Sequence, residues 1–410
     1  MIENKSKKVL IMTVGTGASG SDVAHGLFFS VKDSNPDILI LVGSSKSFQT
    51  TLPHLKNLIN AENINLEIVE NLIEEVNDLE NLHFQYSDII KKLLKQGYSL
   101  NKICVDYTSG TKAMSAALVS AAIENKVGSL SYVYGDRGDG GRVKSGTERR
   151  NSFSPNKFYS KNIFDKAVEL FNIYRFNSCI ELLEKHEFHP EYQGKSELLI
   201  KLSKMFDAWD KFNFSYAWDI SNNIHVEKLK EFDLKNRFEI YYKPFLLKLK
   251  EKSLSYEKIF ELIQNSGRRA KEGKYDDAVA RLYRTLEMIG QIEFEKVFNC
   301  STSDVKIENI PTEFTDEIKT KYVDSKYNKI KLPLRATFDL LNKNNNNLGR
   351  KFFENFERIK KVLNLRNYSI LAHGSNTLNE KEFSEADELI KLFLSEINKP
   401  NYVKEFPELK

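Results

Sequence analysis

Near the C-terminus, three side chains have types suited to proton transfer and phosphate binding. Arg366 and Asn367 are adjacent, and His373 follows with six residues between it and the arginine. On a helix, seven positions make two turns, so we expect Arg366 and His373 on nearly the same face, with Gly374 ending the helix. An imidazole transfers protons near neutral pH, and a guanidinium stabilises charge that develops on a phosphate. This pattern suits RNA cleavage by the 2′-hydroxyl, with Asn367 holding a hydroxyl or orienting the phosphate.

A second helix carries arginines that could serve the same chemistry. The stretch at 273–287 has the periodicity of an amphipathic helix with Ala278 and Leu282 facing inward. Arg281 and Arg284 could line a path for RNA. Charged residues on a helix more often form a solvated face, so both interpretations stay open. The arginine–histidine pair could likewise be an ordinary pair of surface or core residues, because such short patterns arise by chance.

A glycine-rich loop follows the first predicted strand. Gly15, Gly17 and Gly20 match the pattern GxGxxG, in which glycines let the backbone approach a phosphate. A dinucleotide site also needs a carboxylate after the second strand, to hold a ribose. That strand is followed by Ser44 and Lys46 and by no carboxylate. Lys46 could meet a 2′-phosphate, so the dinucleotide hypothesis survives only as an NADP-dependent oxidoreductase. The alternative is a turn required for chain geometry alone.

A second loop lies between the fourth predicted strand and an alanine-rich helix. It reads TSGTK, at residues 108–112. Hydroxyls, a glycine and a lysine at the start of a helix suit an anion or a nucleotide, and the carboxyl edge of an open α/β sheet is where ligands bind. Ser109 or Thr111 could instead merely cap the helix, which is compatible with binding.

The two parts of the chain that carry these loops and side chains differ in predicted secondary structure. Up to about residue 150, apolar runs alternate with helical patterns, which predicts a parallel, doubly wound sheet closed by a turn or hairpin at 135–150. The predicted strands are Val9–Val14, Ile38–Val42, Ile64–Val69, Ile103–Tyr107 and Ser129–Tyr134. Beyond about Ser154 the predicted elements are helices, at Phe164–Glu184, Leu198–Phe212, Tyr256–Gly273, Tyr275–Phe298, Phe352–Leu365 and Glu380–Ile397.

Composition excludes several classes of protein. The 410 residues include 61 Lys and Arg against 57 Asp and Glu, a net charge of +4 that is too balanced for a polybasic nucleic-acid binder. Three widely spaced cysteines form neither a disulfide framework nor a cysteine-rich zinc module, and no metal site is expected. No apolar run approaches the roughly 18 residues of a membrane span. We expect a cytoplasmic protein.

The two loops resemble those of CARF domains, the Rossmann-like sensors attached to type III CRISPR systems. The resemblance rests on VGTG after the first strand, DYTSGTKAMSAAL at the fourth and GGRVKSGTE near the end of the domain. It implies a homodimer that binds a cyclic oligoadenylate, either tetra- or hexa-adenylate, across its two-fold axis. The ligand-binding residues that it implies are Gly15, Thr16, Gly17, Ser44, Thr108, Ser109, Gly110, Thr111 and Lys112.

The arginine–histidine motif resembles that of HEPN ribonucleases, in which four to six residues separate the two. A CARF domain followed by a HEPN domain is the architecture of the CRISPR-associated CARF–HEPN ribonucleases. We therefore expect an α/β plus all-α fold: a Rossmann-like CARF domain at 1–153, a helical connecting region at 154–252 and a helical HEPN domain at 253–410.

The resemblance also implies an activity. It implies an endoribonuclease of antiviral defence that is activated by cyclic oligoadenylate and cleaves single-stranded RNA. The expected ends are a 2′,3′-cyclic phosphate and a 5′-hydroxyl, with Arg366, Asn367 and His373 catalytic and no metal or other cofactor required. The alternative is a regulator that binds the ring and uses its HEPN-like domain only to bind partners.

Overall fold

A parallel sheet begins the chain. The computed structural model describes residues 5–17, 19–136, 143, 146–324, 329–370 and 374–410. The strands of the sheet are β1 (Val9–Val14), β2 (Ile38–Gly43), β3 (Glu67–Leu72), β4 (Ile103–Asp106), β5 (Ser129–Tyr134) and β6 (Arg149–Phe153). Their order is β3-β2-β1-β4-β5-β6, and each neighbouring pair is parallel except β5 and β6. The expected doubly wound sheet and closing hairpin are confirmed.

Helices cover both faces of this sheet. They are α1 (Gly20–Ser34), α2 (Ser45–Thr50), α3 (Leu52–Ala61), α4 (Leu79–Lys95) and α5 (Lys112–Glu124), with a 3₁₀ turn at Leu100–Lys102. Along β1, Leu10 and Met12 pack with α1 and α3, whereas Val9 and Ile11 pack with α4 and α5. Successive strand residues point to opposite faces, so burial on both faces explains the continuous apolar run of β1.

The strand order determines where a ligand can reach the backbone. The chain runs from β1 outward through β2 to β3, and then returns to place β4 on the other side of β1. This reversal leaves a crevice between the carboxyl ends of β1 and β4, the usual ligand site of open α/β sheets. The two loops singled out in the sequence follow these two strands.

The remainder of the chain is mainly helical. Its helices are α6 (Asn156–Asn172), α7 (Phe176–Glu184), α8 (Pro190–Asp210), α9 (Phe214–Asn222), α10 (Lys235–Arg237), α11 (Lys243–Glu251), α12 (Tyr256–Lys271), α13 (Tyr275–Phe298), α14 (Thr312–Lys321), α15 (Leu334–Lys343), α16 (Asn347–Glu354), α17 (Phe356–Tyr368) and α18 (Glu380–Leu394). Shorter elements are 3₁₀ turns at Val226–Phe232 and Ile307–Asn309, a π turn at Phe238–Tyr242, and the paired strands β7 (Val323–Asp324) and β8 (Lys329–Ile330).

The chain divides into two compact units. One contains residues 1–165 and 186–194, and the other contains 166–185 and 195–410. In the second unit, α13 contacts α12, α15, α17 and α18. None of the helices in the described ranges has both the length and the apolar character that crossing a membrane requires.

Four predicted elements differ from the structure. The helix predicted at Leu198–Phe212 begins eight residues earlier, since α8 runs from Pro190 to Asp210. The single helix predicted at Phe164–Glu184 is wrong, because Tyr174 adopts a left-handed φ of 62° and separates α6 from α7. The helix predicted at Phe352–Leu365 is likewise two helices, α16 and α17. The third strand begins at Glu67 instead of Ile64, since β3 is a largely exposed edge strand with a weak apolar pattern.

Candidate functional site

The two candidate ligand loops are bonded to each other. The Gly15 N–H donates to the Ser109 hydroxyl over 2.9 Å, and the Thr13 hydroxyl donates to the Ser109 carbonyl. A Cβ at Gly15 would lie 2.8 Å from the backbone nitrogen of Gly110, closer than side chains approach. Glycine at position 15 is therefore required for the two loops to meet in the β1–β4 crevice.

The hydroxyls of the second loop maintain its shape. The Thr108 hydroxyl accepts the Val133 N–H at 2.8 Å. The Thr111 hydroxyl donates to the Val76 carbonyl at 2.7 Å and accepts the Met114 N–H at 3.1 Å, which caps the N-terminus of α5. The capping interpretation of Thr111 is confirmed, and it leaves the ligand interpretation open.

Other predicted ligand residues face solvent or border the crevice. Lys112 is exposed at the first position of α5, and within the described ranges it has no ion-pair or hydrogen-bond partner. Thr16 is half-buried, and Gly17 is exposed with a left-handed φ of 54°. Ser44 caps α2 by accepting the Ser47 N–H at 3.3 Å. An unpaired cation beside the unpaired N–H groups of a helix start attracts anions.

A buried carboxylate supports the second loop from beneath. Asp106 has no exposed surface and accepts the Ser30 and Ser131 hydroxyls at 2.7 and 2.8 Å. It also accepts the Thr108 N–H at 3.0 Å. The Arg150 guanidinium donates to Ser131 at 3.0 Å and lies 3.9 Å from Asp106. These bonds join the loop to the sheet and to α1.

In the helical unit, Arg366 lies on the inward face of α17. Ile359 and Val362 are buried, and Arg366 continues their spacing of three and four positions. Its guanidinium carbon lies over the Tyr283 ring of α13, 5.0 Å from the ring centre. One Nη donates to the Asn367 side-chain oxygen at 3.0 Å. The structure thus brings Arg366 and Asn367 together, with Arg366 against an aromatic ring.

Tyr283 belongs to a polar cluster that the sequence analysis missed. Burial first, and then a hydrogen bond to Glu287, raises the pKa of Tyr283 to about 12. Glu287 also forms an ion pair with Arg284 at 2.9 Å, and Arg284 donates to Gln291 at 3.2 Å. The signal available in the sequence is the spacing of a tyrosine and a glutamate four positions apart on one helix.

The two arginines considered for an RNA path are engaged in pairs. Arg281 donates to the Asp277 carbonyl and carboxylate at 2.8 and 3.1 Å, and to Asn265 of α12. Arg284 is paired as described above. Arg281 therefore fastens α13 to α12, and neither guanidinium is unpaired.

The predicted continuation of the helix through His373 is wrong. The helix α17 ends at Tyr368, and Ser369 is extended, with φ of −74° and ψ of 157°. Gly374 does not end the helix. A Cβ there would lie 1.9 Å from the Tyr368 carbonyl, so glycine is required by a close approach of the chain. His373 itself lies outside the described residues, and its position relative to Arg366 stays a prediction.

Metal ligands do not converge in the part of the chain that the structure describes. No group of three or more His, Cys, Asp or Glu side chains there could hold an ion. Of the three cysteines, Cys179 and Cys300 are buried and Cys104 is partly buried, all as free thiols.

Family models match most of the helical region. The model of the Csm6 6H domain matches residues 159–240, and the model of the Csm6 HEPN domain matches residues 249–396. Two domains of one family thus follow each other along the chain. The chain belongs to the Csm6 family. This Csm6 HEPN match includes both α13 and α17, the helices that carry the Tyr283–Arg366 contact.

Solved structures extend the likeness to the sheet domain. Csm6 from Enterococcus italicus, solved bound to cyclic hexa-2′-fluoro-hexa-dAMP, has a TM-score of 0.64 at 14% identity and is covered over 97% of each chain. The fold of a Csm6 protein therefore accounts for nearly the whole chain. Protein VC1899 from Vibrio cholerae has a TM-score of only 0.25 at 10% identity over 68% of each chain, and no argument rests on it. No curated protein matches the sequence.

Proposed function

We propose that the chain is an endoribonuclease that cleaves single-stranded RNA when a cyclic oligoadenylate binds its sheet domain. The placement of Arg366 carries this proposal. It lies within the residues matched by the Csm6 HEPN model, on the inward face of α17, and within the described ranges it has no carboxylate partner. A guanidinium in that position keeps its charge available for a phosphate.

The proposed chemistry uses groups that the RNA and the chain already supply. The 2′-oxygen attacks the adjacent phosphorus, and the bond from phosphorus to the 5′-oxygen breaks. His373 removes the 2′ proton and supplies a proton to the leaving 5′-oxygen. Arg366 stabilises the charge of the phosphorane, and Asn367 orients the guanidinium or the phosphate. The products are a 2′,3′-cyclic phosphate and a 5′-hydroxyl, and the scheme requires no metal.

The proposed sensor is the β1–β4 crevice of a homodimer. A ring with two-fold symmetry can contact the same loops in both subunits, and Lys112 with the α5 N-terminus supplies a site for its phosphates. The ring activates only if it binds the active state more tightly than the resting state. The cyclic hexanucleotide in the Enterococcus protein makes hexa-adenylate the first ring to test. No observation favours the NADP alternative.

A fluorogenic single-stranded RNA reporter tests this function. We would measure cleavage in EDTA with no ring, with cyclic tetra-adenylate or with cyclic hexa-adenylate. Cleavage is expected with one ring only, and a loss of at least about 100-fold is expected in His373→Ala. His54→Ala is the matched control, because His54 is an exposed histidine of α3. A ring that raises the melting temperature while no condition cleaves RNA would instead support the regulator hypothesis.

A further inference from the structure

The guanidinium of Arg366 contacts the aromatic face of Tyr283. The same tyrosine also contacts a carboxylate, that of Glu287, which does not pair with Arg366. Tyr283 contacts Arg366 through its ring and Glu287 through its hydroxyl. Glu287 is already engaged, because it accepts the Tyr283 hydroxyl and pairs with Arg284 at 2.9 Å. Tyr283 and Arg284 therefore keep the carboxylate of Glu287 from pairing with the guanidinium of Arg366.

We propose that Tyr283 is a positioning residue for RNA cleavage and that Arg284 keeps Glu287 from capturing Arg366. This inference rests on the proposed ribonuclease function. It concerns residues that act through Arg366 and that do not themselves touch the reacting atoms.

The physical reason is the way a guanidinium uses its two kinds of surface. Over an aromatic ring it is attracted by the ring quadrupole. In an ion pair with a carboxylate, its N–H groups donate to the two carboxylate oxygens. A phosphate requires the same N–H groups as a carboxylate does. A ring contact therefore orients Arg366 without competing with the RNA phosphate, whereas an unpaired Glu287 would compete directly.

The protonation state of Tyr283 fits this role. With a pKa of about 12, the phenol stays protonated throughout the pH range of an RNA cleavage assay. It therefore remains a hydrogen-bond donor to Glu287, and its ring gains no negative charge that would bind Arg366 as an ion pair.

Four variants test the proposal under conditions where ring binding is saturated. Tyr283→Leu removes the aromatic face, and we expect kcat to fall about tenfold with KM within about twofold of wild type. Tyr283→Phe keeps the ring and is expected to lose no more than about threefold. Arg284→Ala frees Glu287 and is expected to lower kcat about tenfold. Adding Glu287→Gln to Arg284→Ala removes the competing charge and should restore kcat to within about threefold of wild type.

Controls separate this inference from the proposed function. Tyr275→Leu changes a half-buried tyrosine at the start of α13 that faces Phe383, and it should leave kcat unchanged. If wild type fails to cleave RNA with any ring, the proposed function fails. If wild type cleaves and Arg366→Ala does not, the function stands. Wild-type kcat in Tyr283→Leu, or no recovery in the double variant, would then overturn the positioning role alone.

Discussion

At the residue scale, burial decides what the candidate side chains can do. Arg366 lies on the inward face of α17, the same face that carries the buried apolar residues Ile359 and Val362. Arg366 itself is half-buried, and the Tyr283 ring lies against its guanidinium. Lys112, in contrast, is exposed and without a described partner, so its charge is available to an incoming anion. Under the proposed function, the charge of Arg366 serves catalysis and that of Lys112 serves ligand capture.

Gly15 gives a prediction at this scale. Because a Cβ there meets the Gly110 backbone at 2.8 Å, Gly15→Ala must separate the two ligand loops. We predict a loss of ring affinity of at least about tenfold and a loss of stability of about 1–3 kcal/mol. Isothermal titration and urea unfolding measure the two effects. Gly26→Ala, in α1 with open space around its Cβ, should change neither by much, and an equal loss there would contradict the steric argument.

The sequence allowed some of these residues to be predicted and not others. Arg366 was found from its spacing to His373, which is a local pattern. Tyr283 was missed because its contact with Arg366 joins two helices far apart in sequence. The end of α17 was missed because Ser369 forms a bridge with Asn376, and this pairing shows no local signal.

At the element scale, the helices and strands with a clear local sequence pattern were predicted better than those without one. The apolar run of β1 and the Thr111 cap of α5 are both visible in the local sequence, and the sequence analysis named both. The break at Tyr174 was not predicted, because a left-handed φ is disfavoured for tyrosine and no glycine marks the position. The edge strand β3 was misplaced because its exposed positions carry little apolar pattern.

Asp106 supports a prediction about the β4–α5 connection. Removing its carboxylate leaves two buried serine hydroxyls and the Thr108 N–H without their acceptor. We predict that Asp106→Ala lowers the free energy of unfolding by about 2–4 kcal/mol and weakens ring binding. Asp106→Asn retains an acceptor for Thr108 and should lose less. Urea unfolding is the measurement, and exposed Asp88→Ala on α4 is the control, expected to lose no more than about 0.5 kcal/mol. Equal losses in Asp106→Ala and Asp88→Ala would contradict this role.

At the scale of the whole molecule, the proposed sensor and the proposed cleavage site lie in different compact units. The β1–β4 crevice belongs to the unit that contains the sheet, and Arg366 with Tyr283 belongs to the helical unit. The sequence showed the change from strands to helices, because the two periodicities separate along the chain, but it did not show that residues 186–194 group with the sheet. The sequence does not predict how ring binding would alter cleavage, since that depends on a difference in free energy between two states of the assembly.

A ring titration of RNA cleavage tests the central claim most directly, because it separates sensor from effector in one assay. We would compare wild type, Lys112→Ala and Arg366→Ala, with ring binding followed by the shift in melting temperature. Lys112→Ala should move the activation midpoint about tenfold higher with a plateau near that of wild type, since one charge-assisted contact is lost. Arg366→Ala should bind the ring as wild type does and cleave at least about 100-fold more slowly. Cleavage that does not depend on the ring, or that survives in Arg366→Ala, would contradict the account.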